Sequence, residues 1–307
     1  MRLLDFLRKA TESLEAAGIE DALADAEMIV LHALGVERLD AYVHNPEVKS
    51  ADVAKVRRLI QRREKGEPVH YIIGYIEFLG LTINVGKGVL IPRPETELLV
   101  EEVIKILKSE ELGAGSKDKP ACAASRASRL DSLASLSFVD LCTGSGCIAL
   151  ALAKEFPDAE VYGTDLSKQA LAYAGKNAKI NGIKNARFLQ GSLFEPVRGR
   201  KFSMITANPP YVRRDELDTL QREIRDWEPV GALNGGEDGM AFYRQILSSA
   251  GEHLNPGGCI FLELGFGQAG VVQKFAHEQG FKDVALINDY AGIGRILKAR
   301  KEKFPLY

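Results

Sequence analysis

At 307 residues the chain is long enough for about two domains, each able to bury its own core. Its composition, 46% hydrophobic and 27% charged, is that of an ordinary soluble globular protein, and no apolar run approaches the roughly eighteen residues a membrane helix needs. A formal charge of −2 lends the whole chain no support for non-specific nucleic-acid affinity, which comes from phosphate neutralisation, and no direct nucleic-acid partner and no membrane are expected.

The first residues, Met1 to Phe6, lack the apolar stretch and small-residue cleavage site of a secretory signal, and Asp5 and Glu12 argue against a transit peptide. The four cysteines (Cys122, Cys142, Cys147, Cys259) form no C-x-x-C pair and have no histidine at metal spacing. Disulfides and a metal site are therefore not expected, and a reducing cytoplasm is the expected compartment.

Residues 1–66 read as a small helical domain. Leu3, Leu4, Phe6, Leu7 and Leu14 recur at helical spacing, and Ala22 to Leu34 forms a second amphipathic run closed by Gly35. A third run, Ala51 to Lys65, carries six basic residues against two acids, Asp52 and Glu64. Such a run is expected to be a solvated face, the alternative being a contact surface for RNA or an acidic partner.

Between 67 and 90 short β-branched and aromatic pieces are broken by glycines, which predicts a hairpin linking two domains. His70 in that stretch reads as structural and is not chosen as a base. Next, Ile91-Pro92-Arg93-Pro94-Glu95-Thr96-Glu97 is stiffened by two prolines. Glu95 or Thr96 is expected to cap a helix beginning at Leu98, and Arg93 and the acids are candidates to face a pocket. Residues 109–137, rich in Ala, Ser, Gly, Lys and Arg, read as a flexible insertion with no assigned chemistry.

From 138 onward strands and helices alternate. Strands are predicted at 138–142, 160–164, 186–190, 203–207, 258–263, 283–288 and 294–299, with helices at 146–155, 168–181, 239–253 and 268–279. The pattern predicts an α/β domain over 91–307 with a mostly parallel, Rossmann-like sheet whose last strand, after the Gly292–Gly294 turn, is a candidate to run antiparallel.

Two stretches carry the chemistry. Cys142-Thr143-Gly144-Ser145-Gly146 follows the first of these strands and opens a helix, so its glycines allow a sharp turn and close approach of backbone to ligand. At the end of the second strand Asp165 is placed to accept the hydroxyls of a ribose. Turn plus acid predict a nucleoside cofactor. Gly144, Gly146 and Ala149 also fit the dinucleotide pattern G-x-G-x-x-A, which keeps a dehydrogenase open at this point.

The second stretch is Asn208-Pro209-Pro210-Tyr211, after the apolar run Phe202 to Ala207. Proline has no N–H, and each ring fixes its own φ and keeps the preceding residue extended. The result is a rigid lip of acceptor oxygens beside an aromatic ring, suited to a flat NH2-bearing group. That lip favours S-adenosylmethionine over a hydride carrier.

With these residues in hand, the chain closely resembles the bacterial release-factor glutamine methyltransferases, the PrmC/HemK family. The match includes Gly66 to Gly74, Ile91 to Glu97, Asp140 to Gly146, Asn208 to Tyr211, Glu228-Pro229 and Gly235 to Gly239. The Asn-Pro-Pro-Tyr string is shared with DNA adenine and ribosomal-protein glutamine methyltransferases. The Ile91–Glu97 string together with the helical domain narrows the resemblance.

The resemblance implies N5-methylation of the glutamine in the Gly-Gly-Gln motif of class I peptide chain release factors, by a monomer whose helical domain recognises the substrate. It places cofactor contacts on Cys142, Thr143, Gly144, Ser145, Gly146, Asp165, Leu193 and Asn208, and catalytic and substrate contacts on Asn208, Pro209, Pro210 and Tyr211. Three positions depart from the family pattern. Cys142 replaces a frequent glycine, Ser192 a frequent adenine-reading acid, and Leu193 an aromatic found in some relatives. Rival readings are a ribosomal-protein glutamine methyltransferase and a DNA adenine-N6 methyltransferase, the latter disfavoured by the charge.

Overall fold

The computed structural model describes residues 1–111 and 136–302, with side chains through Ser109 in the first stretch. The expected insertion at 109–137 lies, but for its ends, outside the described residues, as does Cys122. The chain divides into two compact units, one of Met1–Ile76 with Val85–Lys87 and Thr219–Glu228, the other of Glu77–Asn84, Gly88–Asp218 and the chain from Pro229 onward.

In the first unit Leu3–Ala16 (α1), Ala22–Leu34 (α2), Arg38–His44 (α3), Ser50–Glu64 (α4) and Val69–Ile73 (α5) are helical. Leu3, Phe6, Leu7, Ala10 and Leu14 on α1 meet Ala26, Ile29 and Val30 on α2 and Val56 and Ile60 on α4 in one buried cluster. The spacing of three and four residues puts each set on a single helix face. α2 ends at Gly35, whose φ of 64° is the left-handed conformation of a helix-closing glycine.

The basic run on α4 is not wholly solvated. Arg63 is buried, its Nε donating to Asp25 Oδ2 at 2.5 Å and its Nη2 pairing with Glu223 at 2.6 Å, while Arg62 grips Glu67. Glu223 comes from a segment some 160 residues later, a partner that local sequence could not announce. The short α3 also escaped the sequence reading, because only Ala41 of its seven residues is buried and no periodic apolar stripe exists. α5, a single helical turn, falls inside the 67–90 stretch predicted as a hairpin, so the hairpin is confined to Tyr75–Phe78 (β1) and Leu81–Asn84 (β2).

The second unit is built on a seven-stranded sheet. Its strands are Ser137–Leu141 (β3), Glu160–Asp165 (β4), Ala186–Gln190 (β5), Phe202–Ala207 (β6), Leu254–Glu263 (β7), Lys282–Asn288 (β8) and Gly294–Arg300 (β9). Their order is β5-β4-β3-β6-β7-β9-β8, with β9 alone reversed against both neighbours. This is the expected Rossmann-like α/β architecture, antiparallel last strand included. Helices on both faces bury β3 and β6, which accounts for their near-continuous apolar runs.

β7 begins four residues earlier than predicted. Phe202 pairs with Leu254 but Met204 with Cys259, so β7 carries extra residues around Pro256 and Gly258. A β-carbon on Gly258 would stand 3.1 Å from the Phe202 carbonyl oxygen, which is why a glycine sits in the bulge. Another difference lies at 94: the helix (α6) spans Pro94–Glu111, so it starts before Leu98 and holds Thr96 within its first turn. Proline suits that first position because no N–H is needed there.

The chain reverses its direction of winding between β3 and β6. Leu141, the last residue of β3, pairs with Ala207 on one side and Thr164 on the other. The segments that follow these strands therefore emerge side by side at the carboxyl edge, where open α/β sheets bind ligands.

Candidate active site

Beyond Leu141 the backbone visits the left-handed region at Cys142 (φ 55°), Gly144 (φ 55°) and Gly146 (φ 82°) before the helix Cys147–Glu155 (α7) begins. A buried carboxylate braces this turn. Asp140 accepts the Thr143 hydroxyl at 2.6 Å and the Thr206 hydroxyl, on β6, at 2.9 Å. Burial pushes its pKa up to about 7, against the pull of those two hydroxyls. Gly163 on β4 is required by the same packing, since a β-carbon there would lie 2.8 Å from Thr143 Oγ1 and 2.7 Å from the Phe188 ring.

At the end of β4, Asp165 reaches back to the turn. Its Oδ2 accepts the Gly144 N–H at 2.9 Å and its Oδ1 accepts the Ser167 N–H at 2.8 Å. Burial raises its pKa, and the two backbone bonds oppose that shift. A carboxylate has about four acceptor sites, so both oxygens retain capacity for a ligand's hydroxyls. Two strands away, the Asn208 amide nitrogen donates to Thr96 Oγ1 at 3.3 Å, and the Thr96 hydroxyl donates to Glu263 Oε2 at 2.7 Å. Glu263, at the end of β7, is buried, and desolvation pushes its pKa up to about 7.

The glycine turn, Asp165, Thr96 and Asn208 converge on one cavity of about 310 Å³. Of the cofactor residues expected from sequence, Cys142, Thr143, Gly144, Ser145, Asp165, Leu193 and Asn208 line it, and Gly146 does not. Gly146 instead faces the packing, where a β-carbon would stand 3.0 Å from Ala174 Cβ and 3.1 Å from the Phe188 ring. Of the proline lip, Asn208 and Pro210 are in the lining, while Pro209 and Tyr211 are not. The Tyr211 ring packs toward Gly265 and the central core, its backbone oxygen accepts Gln268 Nε2 at 2.9 Å, and burial pushes its hydroxyl up to about 12.

Lining residues to which the sequence assigned no role include Val89, Leu90, Pro92, Ile148, Leu166, Ala170, Pro229, Ala232 and Phe242, and Thr96 lines it too. Most are apolar residues in apolar company, so no local signal marks them. Thr96 looked like a helix cap, yet its hydroxyl goes to Glu263. Arg93, Glu95 and Glu97 are not in the lining, and Glu97 accepts the Leu79 N–H at 3.0 Å. His70 belongs to the first unit, with Nδ1 3.2 Å from the Tyr75 carbonyl oxygen.

Leu193 takes a left-handed φ of 45° and its carbonyl accepts the Thr164 hydroxyl at 2.8 Å. Ser192 lines the cavity too, and its N–H donates to Glu195 Oε2 at 3.3 Å.

The donor set fits S-adenosylmethionine. An acid at a strand end suits a ribose diol, and leucine, isoleucine and phenylalanine walls suit an adenine ring. Gly144 leaves room at the turn, since a β-carbon there would meet nothing nearer than the Cys142 oxygen at 3.9 Å. Among the described residues no group of three or more His, Cys, Asp or Glu could hold a metal, and Cys142 and Cys147 are in no disulfide.

Known proteins similar to the chain agree with this reading. Residues 5–74 match the PrmC N-terminal domain and residues 123–226 the methyltransferase small domain. A release factor glutamine methyltransferase of Thermodesulfovibrio yellowstonii is 43% identical over 281 residues, covering 92% of this chain and 93% of that protein. One from Geobacter sulfurreducens is 40% identical over 288 residues, covering 92% and 91%. A third, from Agrobacterium fabrum, is 38% identical over 296 residues, covering 95% of each.

Proposed function

The chain belongs to the release factor glutamine methyltransferase family, and we propose that it methylates the side-chain nitrogen of the Gly-Gly-Gln glutamine in class I peptide chain release factors. S-adenosylmethionine, the methyl donor of this chemistry, supplies when bound a methyl carbon already activated by its positively charged sulfur. The residues that would hold it are the turn Cys142–Gly146, Asp165 for the ribose, Leu193 for the adenine and Asn208 near the reacting end. Gly146 contributes through packing of the turn.

The observation that carries this reading is the convergence of the glycine turn, Asp165 and Asn208 on one cavity at the β3/β6 reversal. A carboxamide nitrogen is a poor nucleophile because its lone pair is delocalised into the carbonyl, so the protein's task is to orient it. The Asn208 side-chain oxygen and the carbonyl of Pro209 or Pro210 accept its two N–H bonds. Their positions are fixed in advance by the proline rings. As the nitrogen gains positive charge, these oxygens bind it more strongly than in the ground state, which is differential stabilisation of the transition state. Apolar walls keep water from competing for the same bonds. No base is needed before transfer, and the nitrogen loses its proton afterward.

Residues 1–66 serve as the recognition domain, 67–90 as the linking hairpin, and 91–307 as the methyltransferase domain. The protein works as a cytoplasmic monomer on translation factors, and among the described residues no helix is long and apolar enough to cross a membrane. The test is mass spectrometry of a purified release factor after incubation with isotopically labelled S-adenosylmethionine, with ribosomal protein in a parallel reaction. One labelled methyl on the Gly-Gly-Gln glutamine is expected. Label on the ribosomal protein alone would overturn the assignment.

A further inference from the structure

Asn208 is the one side chain of the lip that both lines the cavity and carries a hydrogen-bonding amide, and an amide can face the cavity by either end. If its oxygen faces the substrate it accepts a glutamine N–H. If its NH2 does, donor meets donor and the substrate is repelled. Something must choose between the two, because the oxygen and nitrogen ends differ little in shape. The neighbours of Asn208 supply the choice. Its nitrogen is 3.3 Å from Thr96 Oγ1, and Thr96 Oγ1 is 2.7 Å from Glu263 Oε2. A hydroxyl has one proton to give. Once Thr96 gives it to the carboxylate, its oxygen can only accept, so the Asn208 neighbour must be NH2.

We propose that Glu263, acting through the Thr96 hydroxyl, is a positioning residue that holds the Asn208 carboxamide with its oxygen toward the substrate amide. The inference rests on the reading of Asn208 as the group that receives the glutamine. It also accounts for a carboxylate buried at 2% exposure beneath the site, where an apolar side chain would avoid the cost of desolvation. Protonated Glu263 would instead donate to Thr96 Oγ1, freeing the Thr96 proton for the amide oxygen and turning NH2 outward. Burial raises the Glu263 pKa to about 7, which puts that reversal within reach of ordinary pH. The charged and titratable groups around it are Arg93 just before α6 and Glu95 in its first turn, Arg295 on β9 and Cys147 on α7, with the Tyr211 and Tyr243 hydroxyls.

The experiment uses the full chain with Thr96→Val, Thr96→Ser and Glu263→Gln. In ligand-free protein the Asn208 side-chain NH2 resonances, identified by their loss in Asn208→Ala, are expected to shift with pH around a midpoint near 7. Thr96→Val and Glu263→Gln should abolish that titration, and Thr96→Ser should keep it. In methyl transfer, Thr96→Val should lower kcat roughly 10- to 100-fold, the scale set by misorienting a reacting partner, while KM for the release factor stays within a few-fold. Thr96→Ser should restore kcat, and Glu263→Gln should remove the wild-type rise in kcat through pH 7. A pH-insensitive Asn208 resonance in the wild type, or full kcat in Thr96→Val, would sink the relay. Should the wild type methylate no glutamine at all, the parent reading falls, and the resonance titration still decides the relay.

Discussion

Asp165 Oδ2 accepts the Gly144 N–H at 2.9 Å, so the residue assigned to the ribose also holds the glycine turn in shape. Its other oxygen holds the Ser167 N–H, at the start of the helix Lys168–Ile180. A single carboxylate thus braces both the glycine turn and the start of that helix, and its removal must be read as both a binding and a structural change.

Asp165→Ala is expected to weaken S-adenosylmethionine binding by about 10- to 100-fold, the scale of losing charge-assisted hydrogen bonds, and to lower the melting temperature. Calorimetric titration together with thermal unfolding of the ligand-free protein separates the two effects. Unchanged affinity would remove Asp165 from the cofactor site.

Asn208→Ala should reduce kcat by on the order of 10²–10³, by comparison with deleting one preorganised polar group. Steady-state methylation of a release factor measures it. Near-normal turnover would end the positioning mechanism.

Gly146→Ala tests the distinction between lining and packing. The new β-carbon would press on Ala174 and Phe188 at 3.0–3.1 Å, from a residue with φ 82°. A loss of about 1–3 kcal/mol is expected in urea unfolding, combining overpacking with left-handed strain. An unchanged unfolding midpoint would show that the contact yields.

Cys142 adopts φ 55°, a conformation that costs a residue with a β-carbon roughly 1–2 kcal/mol. Cys142→Gly should therefore range from neutral to about 1 kcal/mol stabilising, the gain offset by glycine's greater freedom when unfolded. Cys142→Val should destabilise, since a branched β-carbon tolerates that region worst. Chemical denaturation of the pair gives the sign directly.

The pH dependence of stability follows from Glu263. Its folded pKa, about 7, lies above the ordinary 4.5, so the native state holds a proton that the unfolded chain has lost. This group's contribution is most favourable below about pH 4.5 and is lost as pH rises to about 7. Glu263→Gln, which mimics the protonated form, should match the wild type near pH 5 and exceed it by on the order of 1–3 kcal/mol at pH 8. Urea unfolding at the two pH values checks it, and a variant less stable than wild type at pH 8 would contradict the shift.

The alternation of strands and helices, the glycine turn, Asp165 and the proline lip are local patterns, so the chain order displays them. Turn residues sit beside the strand they terminate, and periodicity marks the face each helix buries. The hairpin after the helical stretch and the reversed last strand are similarly local.

Thr96, Glu263 and Asn208 are 167 and 112 residues apart in their hydrogen-bonded pairs, and nothing in their neighbourhoods announces a shared bond. The same holds for Glu223 beneath Arg63 and for the apolar wall made by Leu90, Leu166 and Phe242. Sequence by itself determined which segments become the strands of the large sheet and, to within a residue, where each reaches its carboxyl end, because those depend on nearest-neighbour chemistry. Only the tertiary structure decided that Tyr211 turns toward the core and that a buried glutamate reaches the lip, because side-chain partners are chosen by packing between distant strands.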